Sequence, residues 1–172
     1  EPDREKIMEQ AVFLRSIAAG RFTPPENIHL TLKFLGECTQ KKAGEVMNRL
    51  NSLSLPPPFV LTADKIGYFG RGDCATAWQG TDIPSVFAKC FEIVENSLIA
   101  CGFAAENRGF CPHITLARGL ILTPEIQAKT SAHNRSLKPF SLRAEGITLF
   151  ESIRKDGVLR YEPRLFRAFE TS

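Results

Sequence analysis

Several things are scarce in this 172-residue sequence, and each scarcity narrows its function. There is no CxxC pair, and the three histidines (29, 113 and 133) are widely spaced, so a structural zinc site is not expected. The five cysteines, Cys38, Cys74, Cys90, Cys101 and Cys111, are odd in number and unpaired in spacing. They fit reduced thiols in a cytoplasm better than a disulfide framework. No apolar run approaches the roughly 18–20 residues needed to cross a bilayer, so no membrane partner is expected. Residues 1–20 are charged and polar, without the pattern of a secretory signal. Low-complexity tracts are absent, and the length suits one compact domain or two small halves. The net charge of +3 is too small to argue nucleic-acid binding by itself, but it is compatible with a local anion site.

What the chain does contain is a repeat of itself. "ENIHLTLKFLGE" (26–37) is echoed by "CPHITLARG" (111–119), with His29-Leu-Thr31-Leu matching His113-Ile-Thr115-Leu at an offset of 84 residues. "PFVLTADKIGYF" (58–69) recurs as "PFSLRAEGITLF" (139–150), at an offset of 81. Two similar segments in the same order set a repeat of about 1–70 and 75–152, with 158–168 completing the sheets.

Local patterns place helices at 4–19, 40–53, 84–101 and 123–133. In the first, Ile7, Val12, Leu14 and Ile17 are among the apolar positions. Strands are expected at 28–35, 59–69, 75–80, 112–118, 140–152 and 158–168, with Asp156-Gly157 turning the last hairpin. The order predicts an α+β fold of two pseudo-symmetric lobes. Each lobe is an antiparallel sheet covered by helices, with a central active-site cleft. The strand at 75–80 has no counterpart ahead of the first helix, so a further N-terminal strand is expected before residue 1.

Alternation along a strand puts His29, Thr31 and Lys33 on one face, and Leu30, Leu32 and Phe34 on the other. His113 and Thr115 share a face in the second copy. One isolated HxT would most simply be a hydrogen-bonded strand pair. Two copies in a duplicated frame point to chemistry, because a polar pair on an apolar strand is costly to keep. Two imidazoles flanking a phosphate form an acid–base pair: one takes a proton from attacking water, and the other protonates the departing oxygen. Threonine hydroxyls can donate to the non-bridging oxygens. That chemistry needs neither metal nor cofactor.

On these motifs the sequence resembles the two-histidine (2H) phosphoesterase superfamily, and within it the LigT-like RNA 2′,3′-cyclic phosphodiesterases. The resemblance implies a bilobal fold and metal-independent hydrolysis of 2′,3′-cyclic phosphate ends to 2′-phosphates. It implies His29 as proton donor, His113 as proton acceptor, and Thr31 and Thr115 as phosphate-binding. Its expected partners are RNA with 2′,3′-cyclic ends or cyclic nucleotides, acted on by a cytoplasmic monomer. The alternatives are 2′–5′ RNA ligation at the same site in reverse, and a non-catalytic RNA-end binding module.

Further candidates follow from position. Arg118 falls on the aliphatic face of a regular strand, but a bulge near Gly119 would swing it toward the phosphate. Lys33 is a candidate substrate contact. Arg108 is expected in solvent, as is His133, and Trp78 is expected to pack in its sheet. Phe69 could stack on a base, although its repeat partner Phe150 favours a core position, and Tyr68 is expected to be buried. Cys111 reads as buried packing. The RGD at 71–73 reads as a hairpin tip.

Overall fold

A computed structural model describes residues 2–107 and 109–170. The chain forms two compact units, each assembled from both sequence repeats. The first takes residues up to Thr31, Leu61–Asp82 and Cys111–Leu142; the second takes Leu32–Val60, Ile83–Phe110 and the chain from Arg143 onward. No helix among the described residues is long and apolar enough to span a membrane.

The first unit is organised by a five-stranded sheet. Its strands are β1 (Arg21–Phe22), β2 (Phe59–Phe69), β3 (Ala75–Thr81), β4 (His113–Leu120) and β5 (Phe140–Ala144), in the order β1-β4-β3-β2-β5. β4 pairs antiparallel with both β1 and β3, and β3 with β2. One face buries Ile66, Ala77, Ile114, Leu116, Ala117 and Leu120. Over this sheet lies α1 (Pro2–Ile17), which also meets α4 (Pro124–Ser136). The buried positions of α1 are Ile7, Gln10, Ala11 and Leu14, an i, i+3, i+4, i+7 stripe. Val12, another of the apolar positions, lies off that stripe and is exposed. Thr123 caps α4 by accepting from the Ile126 amide, and Pro124 stands at its first position.

The second unit holds α2 (Gln40–Asn51), α3 (Ser85–Ala100) and a hairpin of β6 (Gly146–Lys155) and β7 (Val158–Ala168). Thr39 caps α2 through the Lys42 amide, and Val46 and Leu50 are its buried positions. Phe87, Cys90, Val94 and Leu98 form the buried face of α3. Phe59 packs against Phe87 and Phe169, with ring centroids 5.4 and 5.1 Å away. Asp156 (φ 52°) and Gly157 (φ 77°) make the expected turn, with both central residues left-handed.

Two strand expectations are corrected. Residues 140–152 are two strands, not one. The chain leaves the five-stranded sheet after Ala144 and enters the hairpin at Gly146, where a Cβ would lie 2.3 Å from the Arg167 carbonyl oxygen. Residues 28–35 are largely irregular, with a single bridge at Leu30, and Phe34 is 71 % exposed rather than packed under helices.

Candidate active site

That single bridge joins the two motifs directly. Leu30 pairs antiparallel with Ile114, the central residues of His29-Leu-Thr31 and His113-Ile-Thr115. Residues flanking such a pair lie opposite one another and point to the same side. His29 therefore stands opposite Thr115, and Thr31 opposite His113. A local pseudo-twofold axis passes between Leu30 and Ile114, and each histidine stands opposite the other motif's threonine in register. All four residues belong to the first unit. They occupy the sheet side opposite Ile114 and the helices.

The repeat extends to how each imidazole is held. His29 Nδ1 lies 2.8 Å from the Asn27 carbonyl oxygen, and His113 Nδ1 lies 2.9 Å from the Cys111 carbonyl oxygen. A carbonyl only accepts, so each Nδ1 carries the proton. Proton exchange with a substrate then falls to each Nε2. The first support is built by Pro24 and Pro25, which start a 3₁₀ turn over Pro25–Asn27 and leave Asn27 buried.

Burial is the largest influence on His29 and lowers its pKa from the usual value. The Asn27 carbonyl opposes this, while the positive charge of Arg118 and the charge of His113 add to it. His29 therefore favours its neutral form at pH 7 in the free protein.

Arg118 joins the site through a register shift. Ala77 pairs with Ala117 but Trp78 pairs with Thr115, so Leu116 is an extra residue in β4. Leu116 and Ala117 are both fully buried, and the alternation reverses after them. Arg118 emerges on the histidine side, where its Nη2 donates to Thr115 Oγ1 at 3.4 Å. A second shift lies at Gly119, between the Arg118 and Leu120 pairings, where φ is +65°. The expected swing of Arg118 thus depends on a bulge one turn of pleat earlier than the position anticipated for it.

Phe69 is not a core residue. It is 40 % exposed and sets its ring against His113, with centroids 4.9 Å apart at 85°. Trp78 lies beside it at 5.1 Å, on the same face. Its indole occupies space that Gly67 and Gly80 leave open, since a Cβ would meet the ring at 2.3 Å at Gly67 and at 2.8 Å at Gly80. Trp78 thus packs on its sheet, as expected. The repeat misled the reading of Phe69: its partner Phe150 is also exposed, at 39 %.

The other candidates are placed as follows. Lys33 belongs to the second unit, where its ammonium contacts both Glu95 carboxylate oxygens at 2.8 Å and the Ala104 carbonyl at 2.8 Å. Tyr68 is half-buried, its hydroxyl 2.6 Å from Thr130 Oγ1. Cys111 is exposed rather than buried, and contributes its backbone carbonyl to His113. His133 is not a solvent residue: it stacks on Phe13 at 3.7 Å and its Nε2 lies 2.8 Å from Gln10 Oε1, tying α4 to α1. Arg108 lies outside the described residues.

Known proteins resemble this chain in sequence and fold. An RNA 2′,3′-cyclic phosphodiesterase of Thermotoga maritima is 37 % identical over 95 residues, covering 54 % of this chain and 50 % of that protein. The protein of the same name in Escherichia coli is 32 % identical over 118 residues, covering 66 % of this chain and 65 % of its own. The chain thus matches about half to two thirds of the length of these relatives. Among solved structures, Escherichia coli LigT in apo form superposes with a TM-score of 0.78 at 26 % identity, covering 99 % of this chain and 92 % of that one. LigT complexed with 3′-AMP gives 0.78 at 25 %, with the same coverage. The family described as LigT like Phosphoesterase matches residues 4–75 and 82–159, nearly the whole sequence, and this chain belongs to it.

Proposed function

We propose that this chain hydrolyses RNA or nucleotide 2′,3′-cyclic phosphodiester ends to 2′-phosphates by paired-histidine acid–base catalysis. The observation that carries the reading is the Leu30–Ile114 bridge, which brings the two His/Thr pairs to one side, each imidazole held at Nδ1 by a backbone carbonyl.

Water attacks phosphorus while one Nε2 accepts its proton. The P–O3′ bond breaks, and the other Nε2 protonates O3′, leaving the phosphate on the 2′ oxygen. The pentavalent species carries extra charge on its non-bridging oxygens. Thr31, Thr115 and Arg118 supply donors for it, each such donor being worth about 10²–10³-fold in rate. His113 serves as acceptor and His29 as donor, in line with the resemblance. Burial and Arg118 keep His29 neutral in the free protein, so its donor role requires the bound phosphodiester anion. That negative charge offsets Arg118 and raises the imidazole's proton affinity. With an RNA 5′-hydroxyl attacking in place of water, the same groups would form a 2′–5′ phosphodiester as the P–O3′ bond breaks, and with their roles exchanged they would cleave it back to the cyclic end.

The names of the relatives and the 3′-AMP bound by LigT support a nucleotide substrate. A monomer acting in the cytoplasm completes the proposal. The test is turnover of 2′,3′-cyclic AMP in excess EDTA, with product identification. Hydrolysis to the 2′-phosphate is expected, with losses of about 10²-fold or more in His29→Ala and in His113→Ala. RNA binding without hydrolysis would leave only the binding-module reading.

A further inference from the structure

Arg21 stands next to the site in a place that packing does not explain. β1 is two residues long, and its register sets Phe22 against Ala117 and Arg21 against Arg118. Directly opposed residues leave a sheet on the same side, so exposed Arg21 departs with Arg118 on the histidine side. Its guanidinium rests over Gly119, the residue next to Arg118. A Cβ at Gly119 would meet Arg21 Nη2 at 3.5 Å, Cζ at 3.7 Å and Nη1 at 3.9 Å.

Like charges set directly opposite destabilise a strand pair. One of the two pairings that hold β1 to β4 is of that kind. Among the described residues, neither guanidinium is ion-paired with a carboxylate. Arg118 donates instead to the Thr115 hydroxyl. Two adjacent planar forks with no acid between them suit an anion that offers oxygens to both, and phosphate has that geometry.

Position says which phosphate. Arg21 and His29 lie along the same edge of β4, the one turned away from β3. β1 pairs there, the Thr23 amide donates to the Leu116 carbonyl at 2.9 Å, and Leu30 bridges to Ile114. All of these residues belong to the first unit. With His29 serving O3′, the ribose lies toward this edge. O5′ is joined to C3′ through C4′ and C5′ alone, so a phosphate on O5′ stays close to the reacting one. Thr115 and Arg118 hold the reacting phosphate, and Arg21 is the next cation along that edge. Lys65 also emerges on the histidine side, but opposite Gly80, which pairs with His113. That is the flank from which water attacks, away from the ribose.

We propose that Arg21 binds the phosphate on O5′ of the terminal nucleotide, with Arg118 standing between it and the reacting phosphate. The site then prefers cyclic ends that carry a 5′-phosphate or phosphodiester over bare nucleoside cyclic phosphates. This rests on the phosphodiesterase reading for the placement of the ribose, but product binding can be measured without turnover.

The substrates are adenosine 2′,3′-cyclic phosphate with and without a phosphate on O5′. Wild type is expected to show a kcat/KM about tenfold higher on the 5′-phosphorylated one. Arg21→Ala should bring that ratio to about one, and Arg21→Lys should keep part of the preference, since it retains the charge without the fork. Calorimetry with the corresponding products, adenosine 2′,5′-bisphosphate and 2′-AMP, should show the same preference and the same dependence on Arg21. An unchanged ratio in Arg21→Ala would overturn the proposal. So would an equal loss on both substrates, which would put Arg21 on the reacting phosphate instead. A wild type that hydrolyses neither substrate, yet binds the bisphosphate more tightly through Arg21, would sink the phosphodiesterase reading and leave the second phosphate site standing.

Discussion

Arg118 Nη2 donates to Thr115 Oγ1 at 3.4 Å, a contact between residues three apart that a regular strand would place on opposite faces. The extra residue at Leu116 makes it available. It also puts a permanent positive charge near His29, where it lowers that imidazole's pKa.

Arg118→Ala should therefore do two separable things. Loss of a charged donor to the phosphate should reduce kcat/KM for 2′,3′-cyclic AMP by about 10²-fold. Removing the positive charge also removes one cause of His29's low pKa, so that pKa rises. The limb of the free-enzyme pH profile that belongs to His29 should then move to higher pH than in wild type. A proton-exchange titration of His29 by NMR checks the shift independently of turnover. Arg118→Lys keeps the charge but not the planar fork, and should restore the profile more fully than the rate.

Phe69 stands edge-on to His113 with its ring 40 % exposed. A ring in that position fixes the imidazole plane, and pairs of this kind contribute about 0.5–1.5 kcal/mol. Phe69→Ala is expected to lower kcat/KM about tenfold. Phe69→Tyr should recover most of it, because the edge contact survives. A structural collapse is distinguishable, since β2 and β3 remain paired through their backbones and the melting temperature should change little. A Phe69→Ala variant with full activity would show that the Cys111 carbonyl alone orients His113.

What could be read ahead of the structure follows the physics of each feature. The two HxT motifs were legible because their residue types are wrong for a packed strand and recur in a duplicated frame. The helices were legible from apolar spacing, as at Ile7 and Leu14 or Val46 and Leu50. The strand at 28–35 was not: its alternation of apolar and polar residues is right for a strand, yet only Leu30 finds a backbone partner. Strand pairing is decided by neighbours distant in sequence, and alternation cannot report it. The facing of Arg118 was hidden for the same reason, since a bulge is a property of two strands in register. Phe69 was misread because duplication was taken to imply burial, and both repeat partners are exposed. The carbonyl supports of the two imidazoles carry no side-chain signature at all.

Lys33 supplies the last prediction, because its alternation with His29 suggests an RNA contact while its bonding argues for stability. Its side chain is only 8 % exposed, and that of Glu95 12 %. The Glu95 carboxylate also accepts from the Glu106 amide at 2.7 Å. Desolvation works to raise the Glu95 pKa, but the hydrogen bonds from Lys33 and Glu106 and the Lys33 charge outweigh it, and the net shift is downward. Lys33→Met would leave a buried carboxylate without its cation, at a cost of about 3–5 kcal/mol. For a domain of this size that is a fall in melting temperature of about 10 °C. Because the folded carboxyl has the lower pKa, its contribution is complete above the unfolded value of about 4.5. It is lost as pH falls through the folded value. Wild type should accordingly lose urea resistance on acidification below pH 4.5 more steeply than Glu95→Gln. Lys33→Met should change stability, with kcat/KM for 2′,3′-cyclic AMP nearly unaltered at a temperature where the variant is folded. A variant with wild-type melting and a raised KM would return Lys33 to the substrate.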